Sequence, residues 1–199
     1  MLLDNSTQLT CRFEEALVYA TQLHAQQVRK VRGVPYISHL LSVAALVLED
    51  GGDEDEAIAA LLHDAIEDQG GAPTGMAIRQ KFGHRVADIV EGCTETDVFP
   101  KPPWRRRKEM YLEHLRSASE EVRRVAIADK LHNARCVLAD YERYGDLVWT
   151  QFHGGKEGTL WFYRSFVNQQ DQKGFSYLTE ELKRVVNELE KVSNYMLLR

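Results

Sequence analysis

Apolar side chains recur every three or four residues along most of this chain, which is the spacing of amphipathic helices. Phe13, Leu17 and Ala20 form the first such stripe, and an almost unbroken apolar run at 40–48 predicts a helix at the centre of the fold. A long stripe near the end of the sequence predicts a last amphipathic helix and contains Leu178, Leu182, Val185, Leu189, Val192 and Met196. No segment alternates with the period of a β-strand. The pattern therefore predicts an all-α fold.

Capping signals predict where several of these helices begin. Asp53 is followed three residues later by Glu56, which is the spacing of a capping box. Ser117 and Glu120 have the same spacing and predict the start of the next long helix. The polar stretch 169–174 predicts a loop before the last helix.

Four candidate catalytic side chains stand within six residues, namely His63, Asp64, Glu67 and Asp68. Because a helix turns by about 100° per residue, Glu67 lies one turn beyond His63, and Asp68 lies one turn beyond Asp64. A single helix would therefore carry all four on one side, opposite an apolar face. Three carboxylates and an imidazole are costly to bury unless a metal or hydrogen bonds compensate their charge. The pattern indicates a functional site.

Two other segments supply candidate metal ligands. His39 stands at the start of the central apolar helix, and Asp129 follows a run of small and aliphatic residues. Each has an ordinary structural explanation when taken alone; His39, for example, also suits a helix start where its ring bonds to backbone. Three separate segments that each place a ligand type at an apolar helix indicate a site instead. The set of two imidazoles and two carboxylates suits Mn²⁺, Fe²⁺ or Zn²⁺ and consists of His39, His63, Asp64 and Asp129.

The chain resembles the HD-domain hydrolases of the RelA/SpoT type, and among them the small, stand-alone alarmone hydrolases. The resemblance runs from about residue 16 to about residue 144. It rests on four motifs, which are His24 to Lys30, Pro-Tyr-Ile-Ser-His at 35–39, Leu-Leu-His-Asp-Ala-Ile-Glu-Asp at 61–68, and Ala-Asp-Lys-Leu-His-Asn-Ala-Arg at 128–135. The Glu-Asp pair after His-Asp, and the Arg-Lys pair before Tyr-Ile-Ser-His, distinguish this family within the wider HD superfamily.

This resemblance implies an HD-domain helical bundle that acts as a metal-dependent pyrophosphohydrolase. Such an enzyme removes pyrophosphate from the 3′ position of guanosine tetra- or pentaphosphate (ppGpp or pppGpp) and leaves GDP or GTP. The implied metal ligands are the four residues named above, usually around Mn²⁺. Glu67 and Asp68 match the pair that positions the attacking water and moves protons. The positions that match residues beside the nucleotide are Arg29, Lys30, Tyr36 and Asn133.

Two alternative functions remain open from the sequence. Val31 stands where many members of the family have a small polar residue, and Cys136 replaces a frequent threonine. These differences affect the expectation of guanine selectivity more than the expectation of hydrolysis. One alternative is a phosphatase for another nucleotide, such as the 2′-phosphate of NADPH. The other is a non-catalytic nucleotide sensor, although the intact Glu67 and Asp68 favour an enzyme.

A basic segment at 101–108 carries five positive charges and no acid. Trp104 is expected to begin a helix there, on which consecutive arginines point in different directions. The segment is therefore either a solvated helix end or a rim for a polyanionic substrate; the second alternative predicts that reversing the charge of Arg105 and Lys108 raises KM. The aromatic residues at 161–166 are expected to pack in the core rather than to stack on a base.

Composition is consistent with one domain over residues 1–199, in which 145–199 adds helices that complete it. The chain has 199 residues, 44% of them hydrophobic, and a net charge of −5, which argues against a nucleic-acid partner. Three dispersed cysteines indicate a reducing cytoplasm, and no apolar run is long enough to predict a membrane span or a signal peptide. We expect a small-molecule nucleotide as the substrate. The last helix packs within the chain or, as the alternative, forms a homodimer.

Overall fold

The computed structural model describes residues 7–96, 100–172 and 176–195. Its elements, in chain order, are α1 (Cys11–Leu23), α2 (Ile37–Glu49), α3 (Glu54–Leu62), α4 (Ala65–Asp68), α5 (Ala72–Phe82), α6 (His84–Cys93), α7 (Trp104–Ser117), α8 (Glu120–Tyr144), a 3₁₀ segment (Gly145–Gln151), α9 (Gly155–Asp171) and α10 (Tyr177–Tyr195). Within the described ranges, β pairing is limited to an isolated bridge between Val28 and Pro35. The predicted all-α fold is confirmed.

Helices α2, α3 and α8 form the centre of the bundle and contact one another. Every residue of α3 from Glu56 to Leu62 is buried, as its apolar sequence requires. The carboxylate of Glu56 is tolerated there because it is hydrogen-bonded to Arg124 of α8 and to the backbone of Asp53. This last contact completes the capping box that the sequence predicts at the start of α3.

Two predicted helix boundaries are wrong. Ser117 is the last residue of α7, and the side chain of Ser119 instead caps α8 by accepting a hydrogen bond from the backbone of Val122. Residues 169–171 of the predicted loop 169–174 belong to α9, which continues to Asp171, and residues 173–174 lie outside the described ranges. In both places the short polar signal is compatible with a boundary that lies a few residues away.

The predicted single helix through His63 and Asp68 is also wrong, because the helix is interrupted at His63 and Asp64. Asp64 has a ψ of −2°, and the imidazole Nδ1 of His63 lies 2.8 Å from the carbonyl oxygen of Ala60. In a regular helix that carbonyl would accept from the backbone of Asp64. The interruption matters for the site, since consecutive side chains on a straight helix diverge by about 100° and would not converge on one point.

The C-terminal part of the described chain packs on α8. Helix α10 buries Leu178, Leu182 and Leu189. The amphipathic stripe therefore packs within the chain along this part, whereas its predicted member Met196 lies outside the described residues. A homodimer stays a prediction. In the described ranges, no helix combines the length and the apolar character that crossing a bilayer requires.

Two glycines of α9 and the turn before it make room for Trp104, the first residue of α7. A Cβ on Gly154 would stand 2.6 Å from the indole ring, and one on Gly158 would stand 3.0 Å away. Both distances are shorter than normal van der Waals contact, so the helices approach this closely only because these residues lack side chains. The contact joins the basic segment to α9.

Candidate metal centre and active site

Three elements bring two imidazoles and a carboxylate to one point. His39 comes from α2, His63 from the turn after α3, and Asp129 from α8, and their ligand atoms all lie within 4.8 Å of one another. All three residues are buried. The Nε2 atoms of His39 and His63 are shut off from solvent and have no hydrogen-bond partner. Two buried imidazole nitrogens that face a carboxylate in this way form a donor set for a divalent cation.

Asp64 lies beside this group. Its Oδ2 atom is 3.1 Å from Nε2 of His63 and 3.7 Å from Nε2 of His39. Tyr36 donates its hydroxyl proton to the same oxygen, at 2.6 Å. Burial and the nearby Asp64 charge raise the pKa of Tyr36, so this phenol stays protonated and remains a donor. The four predicted ligands are therefore close together, and Tyr36 fixes the orientation of one of them.

The ionisation of the two imidazoles differs in this environment. Burial lowers the pKa of His39, which keeps its ring neutral, as a metal ligand must be. Burial also opposes charge on His63, but the carboxylates of Asp64 and Asp129 outweigh it and raise the pKa of that ring. Burial on its own would raise the pKa of Asp129, yet the charge of Lys130 and the close approach of both histidine rings hold that pKa well below its usual range. A cation must therefore displace the proton of His63.

Outer contacts hold the candidate ligands in place. Nδ1 of His39 lies 2.7 Å from Nδ1 of His132, one turn along α8 from Asp129. Asp129 accepts hydrogen bonds from Lys130 and Asn133. His132 was not predicted as a site residue, although its position three residues after Asp129, on the same face of α8, is a signal that points to it.

The two candidate proton-transfer residues lie at the wall of a cavity next to this group. Glu67 accepts a hydrogen bond from Lys101 at 2.9 Å, and Asp68 accepts one from the amide of Gln27 at 2.7 Å. Burial and the charges of Asp64 and Glu67 raise the pKa of Asp68, whereas the hydrogen bond from Gln27 lowers it. The pair therefore stands beside the candidate ligands, with Asp68 tuned toward proton transfer.

The cavity has a volume of about 650 Å³, which is sufficient for a nucleotide. All four residues predicted to lie beside the nucleotide line it, namely Arg29, Lys30, Tyr36 and Asn133. Arg29 donates to the side chain of Asn133 at 2.7 Å, and its guanidinium lies 5.7 Å from the centre of the Tyr36 ring. Six of the ten predicted site residues thus line the cavity. The four candidate ligands do not line it but lie directly behind it, in contact with its lining residues Tyr36, Lys130 and His132.

The basic segment divides between the cavity and the surface. Lys101, Arg107 and Lys108 line the cavity, and the last two hold the carboxylate of Glu95 between them. Arg105 does not line it; this guanidinium instead covers the ring of Trp161, 3.1 Å from its centre. The rim prediction therefore applies to Lys108 and not to Arg105.

The aromatic residues at 161–166 also divide between the core and the cavity. Phe166 is fully buried and packs in the core, as predicted. Phe162 and Tyr163 pack in the same cluster but also line the cavity.

Comparisons with known proteins agree with this geometry. The HD domain model matches residues 16–160. The guanosine-3′,5′-bis(diphosphate) 3′-pyrophosphohydrolase MESH1 of Xenopus tropicalis is 40% identical over 124 residues, which cover 61% of this chain and 66% of that protein. A probable guanosine-3′,5′-bis(diphosphate) 3′-pyrophosphohydrolase of Synechocystis is 36% identical over 142 residues, which cover 68% of this chain but only 18% of that protein. The match thus spans just under two thirds of the first relative and a small part of the second.

Solved structures extend the likeness over more of the chain. A structure described as a metazoan ortholog of SpoT that hydrolyzes ppGpp has a TM-score of 0.74 at 25% identity and covers 92% of this chain and 97% of that one. A structure from Listeria monocytogenes EGD-e has a TM-score of 0.68 at 30% identity, with 77% and 99% covered. Because the family model covers well over half of the sequence, this protein belongs to the HD domain family.

Proposed function

We propose that this protein hydrolyses ppGpp and pppGpp with Mn²⁺, releasing pyrophosphate from the 3′ position to give GDP or GTP. The observation that carries the proposal is the buried cluster of His39, His63 and Asp129, with the partly exposed Asp64 against it, next to a cavity of about 650 Å³ that has a cationic wall and is lined by Glu67 and Asp68. The names of the Xenopus and Synechocystis relatives support the same substrate.

The residues that would hold the metal are His39, His63, Asp64 and Asp129. Their mixed nitrogen and oxygen donors suit Mn²⁺, with Fe²⁺ and Zn²⁺ as alternatives. A bound cation of this kind supplies a nucleophile at neutral pH by lowering the pKa of water from about 15.7 toward 7.

Glu67 is the proposed general base. In the structure its carboxylate is paired with Lys101, which is 44% exposed and so has room to move. An anionic substrate offers Lys101 another partner, and the carboxylate then becomes available to accept the proton of the attacking water. Asp68 shares this proton, with its orientation set by Gln27.

The cationic wall would bind the phosphates. Lys101, Arg107, Lys108 and Lys130 line the cavity, and their charge offsets the charge that develops on the phosphate oxygens during hydrolysis. Arg29, Lys30, Tyr36 and Asn133 would then contact the nucleotide.

The first experiment is turnover of ppGpp by Mn²⁺-reconstituted protein, with GDP and pyrophosphate measured separately and NADPH as a second substrate. We expect pyrophosphate release that stops on chelation. Glu67→Gln should lower kcat by about 10²- to 10⁴-fold while the metal content stays at the wild-type level. If the protein releases phosphate from NADPH but does not hydrolyse ppGpp, its substrate is another nucleotide. Nucleotide binding without turnover would identify a sensor.

A matched pair of variants tests the phosphate wall. Lys108→Gln removes a cation that lines the cavity, whereas Arg105→Gln removes a neighbouring cation on the same helix that does not. We expect Lys108→Gln to raise KM for ppGpp by about 10-fold, the effect of losing one charge-assisted contact. Arg105→Gln should leave KM unchanged. Equal effects of the two would show that the segment acts only through its general charge.

A further inference from the structure

Helix α8 runs along the cavity and presents a row of polar side chains to it. Asn133, Cys136 and Asp140 follow the candidate ligand Asp129 at intervals of four, three and four residues, and all three line the cavity. At 1.5 Å per residue, Asp140 lies about 16 Å along the helix from Asp129. Asp140 therefore marks the end of the cavity that is distal to the metal centre.

The distal end contains a paired carboxylate and guanidinium. Nε of Arg32 lies 2.5 Å from Oδ1 of Asp140. The carboxylate side chain is 8% exposed and the guanidinium side chain is 42% exposed. Among the described residues, Oδ2 of Asp140 and the terminal nitrogens of Arg32 have no hydrogen-bond partner. Val137 and Phe152 add apolar surface to the same end of the cavity.

The charges of the cavity indicate which part of a nucleotide each end accepts. The wall formed by Lys101, Arg107, Lys108 and Lys130 attracts phosphate groups. At the distal end, the Asp140 carboxylate offsets the charge of Arg32, so there is little electrostatic attraction for a phosphate group there. Apolar surface with a few convergent polar groups instead suits a nucleobase.

We propose that the Arg32–Asp140 pair selects guanine, an inference that rests on the proposed hydrolysis of guanosine polyphosphates. Guanine presents an acceptor, O6, beside two donors, N1–H and the N2 amino group. Arg32 donates to O6, and the free Oδ2 of Asp140 accepts from N1–H and N2–H. Adenine reverses this order, because it has a donor at N6 and an acceptor at N1. Its N6 donor would meet the Arg32 donor, and its N1 acceptor would meet the Asp140 acceptor. Val31 and Cys136 differ from the residues that are frequent in the family. If the Arg32–Asp140 pair selects guanine, these two positions do not have to contribute to base selection.

The test compares ppGpp with its adenosine counterpart on Mn²⁺-loaded wild type, Asp140→Asn and Asp50→Asn. Asp50 is the matched control, because it also pairs with an arginine Nε, at 3.2 Å from Arg124, but does not line the cavity. We expect Asp140→Asn to raise KM for ppGpp by about 10- to 100-fold with kcat nearly unchanged, since the amide offers guanine a donor where it needs an acceptor. The adenosine substrate should lose nothing, so the guanosine preference falls. A preference within about twofold of wild type would overturn the proposal.

A binding measurement separates this inference from the proposed function. Calorimetry of GDP and ADP on the same Mn²⁺-loaded proteins requires no turnover. If the wild type fails to hydrolyse ppGpp but prefers GDP, and Asp140→Asn removes that preference, the hydrolase proposal fails and base selection stands. If ppGpp is hydrolysed and the preference survives in Asp140→Asn, base selection alone fails. Arg32→Gln, which changes an exposed side chain, gives the same readout through O6 if Asp140→Asn does not fold.

Discussion

Replacing His132 should weaken metal binding through its contact with His39. A metal on Nε2 of His39 requires the ring proton to sit on Nδ1, which lies 2.7 Å from Nδ1 of His132. Burial and the neighbouring His39 and Arg29 lower the pKa of His132 to about 4, so this ring is neutral near pH 7 and its Nδ1 accepts a hydrogen bond from Nδ1–H of His39. His132 thereby fixes the tautomer that a metal ligand needs.

The expected magnitude follows from the burial of His39, which is 0% exposed. His132→Phe fills the space without providing an acceptor, so the metal-bound state keeps a buried N–H without a partner at a cost of about 1–3 kcal/mol. The metal-free state avoids this cost, because the proton can move to Nε2, which lies 3.2 Å from Asp129. The difference corresponds to about 5- to 150-fold in metal affinity.

A competition titration of Mn²⁺ against a chromophoric chelator measures this affinity without relying on activity. We expect His132→Phe to be the weakest binder. His132→Ala should be intermediate, since it leaves room for a water to accept the hydrogen bond from Nδ1–H of His39, and His132→Gln should restore much of the affinity through its amide oxygen. His114→Phe is the control, a histidine on α7 whose ring bonds to the backbone of Gly92 and lies away from the candidate ligands. Wild-type affinity in His132→Phe would refute the reasoning.

Three further outcomes are expected. Gln27→Leu removes a donor that lowers the pKa of Asp68, so the acid limb of the kcat/KM profile should move to higher pH; an unmoved limb would mean that Asp68 does not titrate in catalysis. Gly92→Ala would place a Cβ 2.6 Å from Val122, so the free energy of unfolding by denaturant should fall by about 1–3 kcal/mol, and an unchanged midpoint would show that α6 and α8 separate without cost. Removing Mn²⁺ held at about 100 times its Kd should cost about 2.7 kcal/mol of stability in a thermal melt, whereas equal melting temperatures would place the metal outside the folded site.

Local sequence signals predicted much of the fold and the four candidate ligands, whereas the candidate nucleotide-binding residues came from the family resemblance. The capping box at Asp53 and the apolar pattern of α3 are set by neighbouring residues, and both were predicted. The interruption at His63 and Asp64 was not, because the competing bond to Ala60 depends on where the imidazole packs. His132 was missed for a similar reason, since its partner lies on another helix and only the packing of α2 against α8 brings them together.

The two glycines near α9 hold the indole of Trp104 at the cavity, where its fluorescence is an intrinsic probe of the cavity. Trp104 lines the cavity, whereas Trp149 is buried in a separate apolar cluster with Tyr141 and Leu160. A nucleotide that enters the cavity changes the surroundings of the first indole and leaves those of the second alone. Fluorescence of a variant that retains only Trp104 would therefore report the kinetics of substrate entry and product release in real time, with unlabelled nucleotide.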